Sequence, residues 1–370
     1  MKLLFFLEPE SSFGGGGYSV LKFAEHLSEK HEGKIIQMGF NRITLANQSR
    51  LTVRTPFISC SFPGSRRLNR LLDSAYTMTI LPFLIHKWNP DYLIGYLRES
   101  AQRSCTMAKK YGIRNASFVF ESPPWMEKDL GERWKLEYQG KFKRSWERTR
   151  LAYIDSKVLI CNSRLSMKEC QAWTGRKPDG FAYPGIDPVT ADMAEAESER
   201  QIIYIGRLNP YKNVDEILLA LARVRNPPKL VIVGDGEERR KLEKMASEMR
   251  LDVEFKGILS DEEKFREMKR SLFMVFPSSH EGFGMPPMEA LYCGIPCICS
   301  SKQIFREVYE DKVEYFTEHD VFNLAQKIEG MMKNASYCRR RGAEGRKYVS
   351  SRFRWTKSAE KIEKMLKENL

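Results

Sequence analysis

Apolar runs of four to six residues alternate with longer amphipathic stretches along the 370-residue chain. Unbroken apolar runs of this length suit strands buried on both faces, as in parallel sheets. They predict strands near Lys2–Leu7, Ile35–Met38, Tyr92–Tyr96, Ser117–Phe120 and Val158–Cys161 in the first half. In the second half they predict Gln201–Ile205, residues 230–233 and Cys297–Cys299. Helical patterns fill the gaps, including one from about Tyr18 after the run Gly14-Gly15-Gly16-Gly17. Strands and helices in alternation define the α/β class with two doubly wound domains. The polar stretch Thr190–Arg200 has few apolar anchors and reads as the linker between them.

One helical pattern has two readings. Trp134, Tyr138, Phe142 and Trp146 recur every four residues among Arg133, Lys135, Lys141, Lys143 and Arg144. This is either a core-facing stripe with a solvated basic flank or an interfacial helix for an anionic membrane. No apolar run approaches the roughly 20 residues that a membrane helix needs; the best, Thr77–Ile85, is short and contains Pro82.

Charge and cysteine content narrow the classes. The net charge is +13, and residues 1–195 carry 29 Lys and Arg against 20 Asp and Glu. A basic surface suits an anionic membrane, a lipid-phosphate acceptor or nucleic acid, but no compact nucleic-acid motif supports the last. The eight cysteines include no C-x-x-C pair. Cys297 and Cys299 flank Ile298 in a predicted buried strand, so with Cys293 they read as core thiols rather than metal ligands.

The chemistry concentrates in the run SSHEGFGMPPMEALYCGIPCI. Glu281 opens a Gly-rich loop, and Glu289 lies eight residues later in the following helix. Pro286 and Pro287 suit a helix's first turn, and Gly294 and Pro296 end it. The loop Gly282–Met285 therefore offers backbone N–H groups at a helix N-terminus, which suits a phosphate or a hydroxyl-rich ligand. The flanking carboxylates can accept from sugar hydroxyls. Two further segments follow apolar strands: Gly206-Arg207 with Lys212 before a helix, and Gly234-Asp235-Gly236-Glu237, read as a strand end and helix cap.

Together these segments resemble glycosyltransferase family 4, whose members transfer sugars from nucleotide-sugars with retention of configuration. The resemblance spans the C-terminal half. It extends to Phe276-Pro277-Ser278, Val158–Ser163, the Tyr183–Asp187 segment and Arg352-Phe353-Arg354-Trp355, and is looser over the N-terminal half. It implies the GT-B fold, two Rossmann-like domains facing across a cleft: an acceptor-binding domain over 1–195 and a nucleotide-sugar domain over 196–349. A C-terminal helix over 350–370 would cross back to the first domain.

The resemblance assigns roles as well. Arg207 and Lys212 would bind the donor diphosphate, making the reaction metal-independent, with no resident cofactor. Glu281 and the amides of Gly282, Phe283, Gly284 and Met285 would hold the donor sugar and distal phosphate. Glu289 would accept both ribose hydroxyls. Gly206, Gly234 and Ile258 would lie near phosphates and base, and Gly16 and Gly17 near phosphates and acceptor. Where the family often has a histidine, the run FVFESPPW has Glu121, which either takes over that role or is only a loop residue. The donor would be UDP- or GDP-linked and would carry a hexose of mannose or glucose type. The acceptor would be a glycan or lipid-linked oligosaccharide at the cytoplasmic face. A related epimerase or phosphorylase, or a non-catalytic sugar-binding protein, would share the fold.

Overall fold

The computed structural model describes residues 1–7, 15–37, 49–51, 79–123, 126, 132–186 and 200–370. The chain divides into two units, one of Met1–Pro123, Tyr138–Gly185 and Trp355–Leu370, the other of Pro124–Glu137 and Ile186–Arg354. The linker stretch 190–199, Gly14, Met38 and Asp187 lie outside the described residues.

The first unit runs β1 (Lys2–Leu7), α1 (Gly15–Leu27), β2 (Glu32–Gln37), α2 (residues 79–88), β3 (Tyr92–Tyr96), α3 (Arg98–Tyr111), β4 (Arg114–Val119), α4 (Glu132–Asp155, in this unit from Tyr138), β5 (Val158–Cys161), α5 (Arg164–Thr174) and β6 (Gly180–Phe181). Its strands are parallel, in the order β2-β1-β3-β4-β5-β6. The chain returns to this unit at its end, where α13 (Trp355–Lys367) packs Trp355 edge-on against Phe23 of α1, centroids 5.3 Å apart.

β2 begins at Glu32 rather than Ile35, and two other expected boundaries move for identifiable reasons. β4 starts at Arg114, not Ser117, because the buried Asn115 satisfies its side chain on Ser156 Oγ at 3.1 Å and on the Lys157 amide. A polar residue can then occupy a central strand. α1 starts at Gly15, not Tyr18, so the glycines open the helix rather than precede it. A Cβ at Gly16 would lie 3.3 Å from the Phe120 ring, so the helix start sits close against the residue before Glu121. On α4, Trp146 is fully buried and meets Trp173 edge-on, which is the core-facing reading for that residue. Phe142 is half-buried beneath Arg98, and the side chains of Trp134 and Tyr138 lie outside the described residues. Among the described residues no helix is long and apolar enough to cross a membrane.

The second unit runs β7 (Gln201–Ile205), a 3-10 turn (Pro210–Lys212), α6 (Val214–Leu221), β8 (Lys229–Val233), α7 (Arg239–Glu248), β9 (Val253–Gly257), α8 (Asp261–Arg270), β10 (Met274–Phe276), α9 (Met285–Tyr292), β11 (Cys297–Ser300), α10 (Gln303–Tyr309), β12 (Glu314–Phe316), α11 (Val321–Lys333) and α12 (Ala335–Arg352). Its parallel strands are ordered β12-β11-β10-β7-β8-β9. The chain therefore builds outward from β7 through β8 to β9, then returns to β10 on the other side of β7. In doubly wound sheets ligands bind at the carboxyl ends of the strands flanking such a reversal. The loops after β7 and β10 carry Arg207, Lys212 and Glu281.

Candidate functional site at the strand reversal

Each loop in the second unit is held from the core. Buried Tyr204 of β7 donates its hydroxyl to the Arg207 carbonyl at 3.0 Å. The next loop closes as a 3-10 turn, and Asn213 donates its amide to the Pro277 carbonyl at 3.2 Å, tying this loop to the one after β10. Ser279 reinforces the tie through its N–H to the Tyr211 carbonyl at 2.9 Å, and Ser300 of β11 holds the Ser278 carbonyl at 2.7 Å.

These ties bring Lys212 and Glu281 into an ion pair, with side chains 9% and 13% exposed. The Lys212 ammonium also lies 5.0 Å from the Tyr211 ring and 5.9 Å from that of Phe276. Such faces attract a cation most when it is desolvated. Arg207 is exposed on the same loop, and its charge and that of Glu281 both act on the Tyr204 phenol. The site thus offers a buried cation, an exposed guanidinium and a carboxylate.

The Gly282–Met285 loop leads straight into α9. Gly284 is the N-cap with φ +86°, a left-handed conformation that glycine adopts without strain. Pro286 and Pro287 fall in the first turn as expected, because those N–H groups have no intrahelical acceptor.

One turn into α9, Glu289 pairs with Lys264 of α8 at 3.2 Å, each side chain 16% exposed. Asp261 lies 2.8 Å from the same ammonium. Burial raises the pKa of Glu289 against the opposing pull of Lys264. Burial alone would lower that of Lys264, but the Glu289 and Asp261 charges leave it raised. Sequence reasoning missed Lys264 because it lies outside any strand-loop motif. Its only local cue is the Ser260–Glu263 capping box that starts α8 and sets its helical phase.

Gly234-Asp235-Gly236-Glu237 does end a strand, but it does not cap α7. The N-cap is Glu238, without a side-chain bond. Asp235 instead accepts the Gly236 amide at 2.8 Å through its side chain and the Leu208 amide at 3.0 Å through its carbonyl. This loop braces the one after β7. Ile258 follows β9 and is 74% exposed. Gly16, Gly17 and Glu121 belong to the first unit. There Glu121 is half-buried after β4, next to Phe120, whose carbonyl accepts from Asn162 at 3.0 Å.

Cys297 and Cys299 are buried in β11, and burial pushes the Cys293 thiol up to about 11. Among the described residues no group of three or more His, Cys, Asp or Glu could hold a metal ion.

A doubly wound sheet with two cations and a Gly-rich helix start at its strand reversal defines a Rossmann-like α/β unit. Residues 189–348 match the family described as glycosyl transferases group 1. The serotype-specific mannosyltransferase WbdA of Escherichia coli is 26% identical over 167 residues, covering 43% of this chain and 20% of that protein. A GDP-mannose-dependent phosphatidylinositol dimannoside mannosyltransferase of Mycobacterium tuberculosis is 27% identical over 162 residues, covering 43% of this chain and 41% of that protein. The matches thus span less than half of these relatives.

Solved structures align over nearly the whole chain. Sucrose-phosphate synthase of Thermosynechococcus elongatus has a TM-score of 0.80 at 16% identity, covering 99% of this chain and 98% of that one. HepE of Anabaena, in complex with UDP and glucose, has a TM-score of 0.76 at 18% identity with both chains fully covered. At these identities the likeness shows the fold alone, the GT-B fold of two parallel α/β sheets.

Proposed function

We propose that this chain transfers a hexose, of mannose or glucose type, from a nucleoside-diphosphate sugar to a glycan or lipid-linked acceptor with retention of configuration. The cytoplasmic face of a membrane is the proposed setting. The observation that carries the reading is the buried Lys212–Glu281 pair beside the Gly282–Met285 amides, at the carboxyl ends of β7 and β10. Breaking a glycosyl–phosphate bond builds positive charge at the anomeric carbon and negative charge on the leaving diphosphate. Fixed donors aimed at developing charge lower the barrier because they need no reorganisation.

Lys212 and Arg207 take the diphosphate charge, Lys212 as a point charge and Arg207 as a planar fork. These fixed cations do the work that a metal does in other transferases. Glu281 accepts from sugar hydroxyls while keeping Lys212 in place. Glu289, oriented by Lys264, accepts the ribose diol. Gly234 and Ile258 lie toward the base. Gly16, Gly17 and Glu121 serve the acceptor side.

Nucleotide release from a panel of UDP-, GDP- and ADP-sugars, with EDTA present and no added metal, tests the reading. Release from one donor, lost in Glu281→Ala and Arg207→Ala but kept in Glu121→Ala, is expected. No binding to any donor, or wild-type rates in the first two variants, would sink it. Exposed Lys141, Lys143, Arg144 and Arg148 on α4 support a peripheral hold on an anionic membrane; failure to sediment with anionic vesicles at low salt would remove that part.

The Glu289 environment predicts a pH dependence. A raised carboxyl pKa means protonation on acidification begins above the usual range near 4.5. The carboxylate that accepts the ribose diol is then lost as pH falls through the raised value. Nucleotide affinity should drop there, while the fold is relieved of a buried charge. By linkage, this group's contribution to stability is full below the unfolded value and declines as pH rises through the folded one. Titration calorimetry stepped downward from pH 8 toward the ordinary carboxylate range should show the drop in wild type and a flatter, weaker profile in Glu289→Gln. Parallel profiles for the two proteins would refute the assignment.

A further inference from the structure

Four aromatic rings form a buried column beneath the two phosphate-facing loops. Tyr204 of β7 stacks on Phe276 of β10, with centroids 6.0 Å apart and planes 16° apart. Phe276 meets Phe305 of α10 edge-on at 5.7 Å, and Phe305 lies 6.2 Å from Tyr309. All four side chains are at most 1% exposed. The column is apolar in its middle and carries a hydroxyl at each end. Both hydroxyls donate to backbone of the ligand loops, Tyr204 to the Arg207 carbonyl and Tyr309 to the Gly284 carbonyl.

We propose that Tyr204 and Tyr309 are positioning residues that aim Arg207 and the Met285 amide at the diphosphate of the donor. The inference rests on the nucleotide-sugar reading and adds to it the two residues that set the loop geometry. In a trans peptide the C=O of one residue and the N–H of the next point in opposite directions. Holding the Gly284 carbonyl from the core side therefore turns the Met285 N–H outward. Met285 opens α9, so its N–H has no acceptor within the helix.

Phe305 keeps the peptide from swinging back. A Cβ at Gly284 would lie 2.6 Å from the Phe305 ring, so ring and loop backbone are in close contact. At the other end, a Cβ at Gly206 would lie 2.6 Å from the Tyr204 hydroxyl. Burial pushes both phenols well above their ordinary range, so they remain donors at any working pH. A phenylalanine at either position would fill the same space and leave the loop carbonyl without that donor.

Titration calorimetry of the full chain with UDP, GDP, UMP and GMP tests this in wild type, Tyr309→Phe, Tyr204→Phe and Tyr348→Phe. Tyr348 is the control, because its hydroxyl bonds the Val308 carbonyl at 2.9 Å, away from both carbonyls. Each column variant should weaken the diphosphate that wild type binds by about tenfold, the size of one hydrogen bond to a charged group. Monophosphate affinity should change less than twofold, and Tyr348→Phe should match wild type. Unchanged diphosphate binding, or equal losses for mono- and diphosphates, would overturn the positioning role while leaving the donor reading in place. A wild-type protein that binds no diphosphate would overturn both. If one column variant fails to fold, the other applies the same test at the opposite end.

Discussion

Lys212→Ala should cut kcat/KM for sugar transfer by about 10²–10³, the usual effect of losing one preorganised transition-state donor. It should also destabilise the second unit. Glu281 is 13% exposed beside Lys212, and removing one partner of a buried pair strands the other charge. The cost of such a break is about 3–5 kcal/mol. The two effects separate in the double variant Lys212→Met with Glu281→Gln, which removes both charges at nearly constant volume. Its thermal midpoint should recover most of the loss, because no lone charge remains buried. Its activity should not recover, because the diphosphate still lacks its cation. If activity returned with stability, the pair would be structural and the mechanism wrong.

Gly234→Ala should severely damage the fold of the second unit. Gly234 has φ +131°, and a Cβ there would lie 2.0 Å from the Gly206 carbonyl oxygen. The obstacle is backbone, and backbone on both sides is committed: Gly206 donates to Val233 at 3.0 Å and Gly234 to Gly257 at 2.7 Å. Neither loop can retreat without breaking a bond that closes the ends of β7, β8 and β9. A cost of about 4 kcal/mol or more is expected, at the diagnostic end of point substitutions. For a domain of this size that lowers the thermal midpoint by about 10 °C. Gly330→Ala in α11 is the control. A Cβ there meets nothing within 4 Å, so the helix should gain up to about 1 kcal/mol. Scanning calorimetry of both variants decides the matter, and equal midpoints would refute the argument.

Several strands were legible to the residue: Lys2–Leu7, Tyr92–Tyr96, Val158–Cys161 and Gln201–Ile205. Each is a continuous apolar run, because parallel strands under two layers of helices must be apolar on both faces. β4 was only half legible. Its first residues, Arg114 and Asn115, are poor strand formers, and the partners that let Asn115 be buried, Ser156 and Lys157, lie just after α4, about 40 residues away. The start of α1 was missed because a glycine run normally reads as a break, whereas here absent side chains permit a close approach to Phe120.

The candidate site divides along the same line. Glu281, Glu289, Arg207, Lys212 and the glycines between them stand in strand-loop-helix segments, whose local spacing places a carboxylate, a cation or a free amide at a strand's end. Motif, spacing and the family resemblance together named them as candidates. The pairing of Lys212 with Glu281 and of Glu289 with Lys264 was not legible, nor were Tyr204 and Tyr309 as supports. Apart from the Tyr204–Arg207 bond, which spans three positions, these contacts join residues 25 to 69 positions apart. Local spacing is written in the order of residues because turns and helix starts depend on near neighbours. Which charge neutralises which, and which ring supports which loop, depends on the strand order β10-β7-β8 and on side-chain packing, which arise only when the sheet closes.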